Sequence, residues 1–432
     1  MRERAGAAVP AYSAAVFRIA FGVIALVVVI RFFANGWIDE LLLDPPLHYP
    51  YHGLGWIRPW PAPVMYIQFA ALAVAAAGIA FGWRYRLSAA VFAANFAYVE
   101  LIDQTLYINH YYWMALTAGL MVFLPLHRVW SLDARRAGWD PVVPRLAVWV
   151  LRFQVGMVYV FAGLAKLSPD WLLHGQPLAT WLPARAEMPV IGWLLALPDL
   201  AVAASWAGAV FDLTVVALLS WRRTRVPAFA VLVAFHVVTW LLFPSIGVFP
   251  WLMIAGSSVF FPPDWPLRLV PNRRWSREGT APAAIRRVSI PAVAAVAVYV
   301  AVMTAVPLRH LASPGDRLWT GSDSAFSWQV MLGERAGTVS FSLTDAGAGT
   351  TWIEGLPVEL THRQREVVAA SPTLIADTAR IIAAAYRAQG REVAVRADAF
   401  VSFNGRLSAR IIDPTVDLSG DDPPPFLLPA PG

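Results

Sequence analysis

Long apolar blocks separated by short polar connections dominate the N-terminal part of this chain. They fall near residues 13–34, 62–82, 86–103, 107–126, 145–167, 198–220, 226–243, 245–261 and 288–307. An apolar run of about 18 residues or more can cross a bilayer as a helix, so the pattern predicts nine transmembrane helices. The blocks at 86–103 and 245–261 are short, which leaves seven or eight spans as the alternative. The first block is too long for a removed signal peptide and lacks its small-residue cleavage site.

Beyond residue 310 the period changes. SWQVML, TVSFSLTD and TWIEGL alternate as strands do, with DAGAG as the turn between the last two. LIADTARIIAAAYRAQG has helical period, and EVAVRADAFVSF leads through Asn404-Gly405, a hairpin signal, into RLSARIID. The predicted fold is a polytopic α-helical membrane domain over residues 1–310, then a small α+β domain over 311–432. The closing DDPPPFLLPAPG is expected to lack regular structure. No internal repeat is visible.

Composition agrees with a membrane chain: 58% hydrophobic, 14% charged, mean hydropathy +0.55. The net charge of +6 does not point to nucleic acid, because the basic residues sit in the short connections. Alternate connections carry Arg2 and Arg4, then Arg84 and Arg86, then Arg128, Arg135, Arg136 and Arg145. Next come Arg222, Arg223 and Arg225, then Arg268, Arg273, Arg274, Arg277, Arg286 and Arg287. The intervening connections hold only Arg58, Lys166 and Arg185 as basic residues. The positive-inside rule then predicts a multi-pass cell-membrane protein with a cytoplasmic N-terminus and an extracytoplasmic C-terminal domain. The absence of cysteine excludes a disulfide, a thiolate nucleophile and a Cys metal site. No GxxxxGK[ST] loop, HExxH motif or Gly-x-Ser-x-Gly elbow is present, and the histidines are scattered, so no metal is expected. A biotin site would need a lysine in a soluble hairpin, which is absent.

Of the 34 Lys plus Arg residues one is a lysine, Lys166, in YVFAGLAKLSPDW. A guanidinium stays charged, whereas a desolvated amine can shed its proton and act as a base or nucleophile. The predicted topology puts Lys166 at the outer end of the fifth span. Asn109 and His110 (YINHYY) fall in the first turn of the fourth, and His236 (AFHVVTW) lies two turns below the outer end of the seventh. Polar groups at membrane depth are costly and face a cavity or one another. Each also has a structural explanation: a snorkelling lysine, an interhelical histidine bond, a capping asparagine, an interfacial aromatic belt. The shared depth and the uniqueness of Lys166 favour a site. Arg152 and Asp212, at similar height by helical rise, are expected to form an interhelical ion pair. Glu100 and Asp103 either orient the site or face water, and SPDW reads as a helix stop.

The runs DQTLYINHYY, LHRVWSLD, FQVGMVYVFAGLAKLSPDW, FHVVTWLLFPSIGVFPWLMIAGSSVFFPPDWP, FSWQVML and FVSFNGRLSARIIDPTVDL resemble, in order, vitamin K-dependent γ-glutamyl carboxylase and its bacterial relatives with the HTTM domain. The resemblance implies a membrane enzyme that oxidises a reduced vitamin K or menaquinol-type hydroquinone with O2 to the epoxide. That oxidation drives removal of a γ-carbon proton from a glutamate, and CO2 is then added. It implies Lys166 as the catalytic base and Asn109, His110, His236 and the adjacent Tyr107 as the quinone site, with His110 also catalytic. The implied partners are the lipid-soluble quinone, entering from the bilayer, and a Glu-containing peptide or protein at the outer face. The chain departs from the animal pattern at Ala165, Tyr107 and Ile108, has no cysteine for the family disulfide, and ends soon after DPTVDL. The alternative is a relative that oxidises or senses the quinone without carboxylating. A carrier whose lysine binds an anion or forms a Schiff base is the third reading.

Overall fold

Each of the nine apolar blocks forms a helix, but not all reach spanning length. The computed structural model describes residues 5–269, 288–312, 317–321, 325–345, 347–421, 423 and 425–430. Helices α1 (Tyr12–Ala34), α2 (Ala62–Phe81), α5 (Arg145–Ala165), α6 (Pro198–Ser220), α7 (Arg225–Leu242) and α9 (Ile290–Leu308) are long and apolar enough to cross a membrane. Helices α3 (Tyr85–Glu100), α4 (Asn109–Phe123) and α8 (Phe249–Ser257) are shorter. Among the described residues six spans therefore pass on length and composition, not nine. Local chemistry sets the shorter ends. Past α3, the Asp103 carboxylate accepts from Thr105 N and Oγ1 at 2.8 Å each, an Asx turn that diverts the chain before α4. Past α8, a 3-10 turn (Ser258–Phe260) runs into Pro262 and Pro263. The arginines expected at 273–287 lie outside the described residues.

One core joins the helices, built from residues such as Phe17, Phe69, Phe92, Trp113, Leu151 and Phe260. Two arginines, Arg18 buried and Arg152 half-buried, tie its loops by bonding backbone carbonyls. Arg18, fully buried, bonds Leu126 O, Ile79 O, Ala80 O and Trp130 O. Arg152 bonds Val259 O (2.9 Å), Phe260 O and Phe261 O (3.3 Å each) beyond α8. Arg152 therefore does not pair with Asp212, whose partner is Lys166. The expectation assumed that α5 and α6 start level. They are staggered: a Cβ on Gly163 would meet Leu213 N at 3.0 Å, which puts the far end of α5 opposite the middle of α6. By helical rise the offset is roughly 16 Å.

A two-stranded clasp of β1 (Ala8–Pro10) and β2 (Val142–Pro144) closes the end of the bundle remote from the C-terminal domain. That domain is a four-stranded antiparallel sheet in the order β4-β3-β5-β6. Its strands are β3 (Arg335–Asp345), β4 (Thr350–Glu354), β5 (Val393–Phe403) and β6 (Ala409–Arg410). Alternate residues of β5 are buried, from Val393 to Phe403, against Ile375, Ala379, Ile382 and Ala383 of α11 (Pro372–Arg387). The preceding α10 (His362–Ala369) carries a Thr361/Gln364 capping box. Asn404 and Gly405, at φ 51° and 74°, make the expected turn after β5.

Two readings of this region differ from the structure. SWQVML is not a strand; Phe326, Trp328 and Met331 sit at positive φ. The membrane helices hold this segment: Tyr107 Oη accepts from Phe326 N (2.8 Å), Asn109 Nδ2 donates to Gln329 O (3.3 Å), and Trp328 stacks on Tyr112. In the Pro-rich ending, Asp413 N bonds Phe426 O at 2.9 Å and Leu428 N bonds Ile411 O at 3.0 Å. Its Phe426–Leu428 run thus lies along the edge of the domain rather than free.

Candidate functional site

The Lys166 amine ends α5 and turns inward. It lies 2.7 Å from Asp212 Oδ2 on α6 and 3.5 Å from Ala162 O, with Trp171 beneath it at 5.0 Å. Both side chains of the pair are buried. The amine does not snorkel to an interface. An ammonium with a carboxylate, and an amine with a carboxylic acid, are both uncharged overall, so the pair is tolerated where a lone ion is not. Local sequence explains the placement: Tyr159, Ala162 and Lys166 share one face of α5 at helical spacing, and Ser168 Oγ accepts from Trp171 N to turn the chain back under the amine.

The pair faces a cavity of about 480 Å³ among α5, α6, α7 and α8. Its walls are apolar, including Phe211, Phe235 and Phe249, with Val330 and Met331 of the connection to the strand domain. His236 joins Lys166 there. Its Nε2 lies 2.8 Å from Tyr159 Oη, and its Nδ1 is buried without a hydrogen-bond partner among the described residues. Tyr159 Oη also lies 3.4 Å from Ser257 Oγ; in the tautomer where Tyr159 donates to Nε2, Nδ1 carries the proton and is free to donate.

The other expected site residues lie elsewhere. His110 is buried on α4, edge-on to Tyr111, and its ring is 6.0 Å from Phe249, whose other neighbour at 6.0 Å is His236. It does not line the Lys166 cavity. Asn109 is the first residue of α4 rather than its cap, and accepts from Tyr107 Oη at 3.0 Å. Asn109 and Tyr107 thus grip the 326–329 segment, which runs directly into the Val330–Met331 wall. Asp103 neither faces water nor touches the cavity; it caps the turn before α4 and accepts from Gln364 Nε2 at 2.9 Å. Asp212, Tyr159 and Trp171 were not expected at the site. The spacing of Tyr159 and Lys166, two turns apart on one face, was a signal for the second of these.

The strand domain is pinned beside the amine. Asp170 accepts from Arg406 Nη1 (2.8 Å) and Nη2 (2.5 Å) and from Asn404 Nδ2 (2.8 Å). Burial pushes the Asp170 carboxyl up, but the hydrogen bonds from Arg406 and Asn404 outweigh it and hold the group below the usual carboxylate range.

These features define a multi-pass membrane protein with a buried amine–carboxylate pair and a strand domain seated over it. The sequence matches the HTTM domain over residues 7–265 and the vitamin K-dependent gamma-carboxylase lumenal domain over residues 289–428. The chain belongs to the vitamin K-dependent gamma-carboxylase family, as its motifs implied. Membership marks it as a carboxylase-type enzyme, and the family implies a vitamin K hydroquinone with O2 and CO2 and a Glu-containing substrate. No solved structure matches the chain.

Proposed function

We propose that the chain oxidises a vitamin K-type or menaquinol-type hydroquinone to its epoxide with O2 and couples this to carboxylation of a glutamate. The observation that carries the reading is the Lys166–Asp212 pair facing an apolar cavity that also presents the unpartnered Nδ1 of His236. A lipid-borne aromatic diol fits this lining: aromatic and aliphatic walls for the ring, and two polar points for its oxygens. When bound with O2, the diol supplies the oxidation and the strong base that the carboxylation needs.

The protein's part is proton handling and exclusion of water. Asp212 Oδ2 stands where Nζ can leave its proton, and the freed amine then takes the hydroxyl proton of the diol. His236, oriented by Tyr159, donates through Nδ1 to the oxygen on which charge develops. Asn109 and Tyr107 act through the cavity wall by fixing the 326–329 segment, and His110 supports Phe249 from behind. The arginine alternation supports a cytoplasmic N-terminus in the cell membrane, with the strand domain and the glutamate substrate on the opposite side.

A second reading, quinol oxidation without carboxylation, is favoured by one observation. Lys166, Asp212 and His236 are the ionisable side chains, apart from Tyr159, among the described residues lining the cavity, and no second cation is among them to hold a substrate carboxylate. Epoxide and labelled-CO2 fixation, measured separately on protein in lipid with reduced vitamin K and O2, decide between them. Both products support coupling, epoxide alone the second reading, and neither from folded protein overturns both.

A further inference from the structure

We propose a second ligand site: a groove on the lipid-facing side of α4 that takes an uncharged, single-chain lipid with vicinal hydroxyls, of the monoacylglycerol class. The groove, about 710 Å³, lies among α3, α4 and α9, and Lys166 is not part of it. Tyr112, Ala115, Gly119 and Phe123 form its floor at helical spacing. They cover about 16 Å of helix, close to one leaflet of a hydrocarbon core about 30 Å thick. This is the shape of one extended chain.

Two polar groups wait at the end nearest the strand domain. Glu100 Oε2 and Tyr51 Oη both belong to the lining, are buried, and have no hydrogen-bond partner among the described residues. Buried polar atoms without partners are costly and point to a missing partner, a donor for the Glu100 carboxyl and a donor or acceptor for the Tyr51 hydroxyl. Among the described lining residues there is no Arg, Lys or His, so a phosphate head would meet the Glu100 carboxyl with no cation in the groove wall itself. An uncharged hydroxyl head fits instead. A glycerol head carries two hydroxyls on neighbouring carbons and can meet both atoms at one end. The hydroxyls of a hydroquinone point to opposite sides of its ring.

The test is saturable binding of monoolein to the delipidated full chain, read by native mass spectrometry. A Cβ on Gly119 meets nothing within 4 Å, so a side chain can leave the backbone there, and Gly119→Leu projects into the groove. Wild type is expected to bind one monoolein and Gly119→Leu none. Glu100→Gln, which tests the head contact should Gly119→Leu fail to fold, is expected to bind about tenfold more weakly. Lys166→Ala is expected to bind as wild type does, and phosphatidylglycerol is not expected to compete. No saturable binding by wild type, undiminished binding by folded Gly119→Leu or by Glu100→Gln, or displacement by equimolar menaquinol would each overturn the proposal.

Discussion

The Nζ of Lys166 and Oδ2 of Asp212, 46 residues apart in sequence, meet at 2.7 Å in the wall of an apolar cavity. If Asp212 stores the proton that the amine must shed, an amide in its place keeps a hydrogen-bond acceptor but removes the store. Asp212→Asn is expected to lower quinol oxidation about 10²-fold while binding menaquinone as wild type does. Equal turnover in the two proteins would remove Asp212 from the chemistry.

The stagger of α5 against α6 sets that meeting, and Gly163 sets the stagger. A side chain there strikes the Leu213 backbone, which cannot rotate away. Gly163→Val is expected to destabilise the protein by about 1–3 kcal/mol and to lower quinol oxidation as well, because it moves both partners. Thermal melting and turnover in the same lipid check the two parts.

Arg18 and Arg152 act as carbonyl anchors. Arg18→Leu removes the guanidinium bonds to four carbonyls, of which Ile79 O retains Gly82 N, and is expected to cost at least about 3 kcal/mol. Arg152→Asp combined with Asp212→Arg is expected to be no more stable than either single reversal, since the two residues do not touch. Rescue in the double variant would contradict the observed pairing.

At the domain contact the sign of the pH effect is fixed by Asp170. Its carboxyl is held below the usual range in the folded protein, so its contribution to docking is complete above the unfolded value of about 3.9. That contribution is lost as pH falls through the lower, folded value. Hydrogen exchange of residues 393–403 is expected to quicken over that acid window in wild type, and Arg406→Ala is expected to show fast exchange already at neutral pH. An unchanged profile in Arg406→Ala would show that the contact does not hold the domain.

The helices and the strand–helix–hairpin order were legible because burial leaves a period: full apolar blocks in lipid, alternation in β3 and β5, 3.6 spacing in α11. Lys166 was legible through its uniqueness, and Tyr159 could have been found from spacing. The Lys166–Asp212 contact could not, since helical rise gives height along a helix but not the stagger between two helices. SWQVML misled for a related reason. Its alternation is real, but its partners are Tyr107, Asn109 and Tyr112 rather than a neighbouring strand. His110 stays outside the Lys166 cavity while Phe249, 6.0 Å from both His110 and His236, lines it, an arrangement no spacing reveals.

The most direct test replaces the amine by a cation that cannot titrate. Epoxide formation by Lys166→Arg is compared with wild type in the same lipid, at saturating reduced menaquinone, with quinone binding measured alongside. With binding intact, a fall of about 10²-fold or more is predicted. Turnover near the wild-type rate would contradict the assignment of Lys166 as the base.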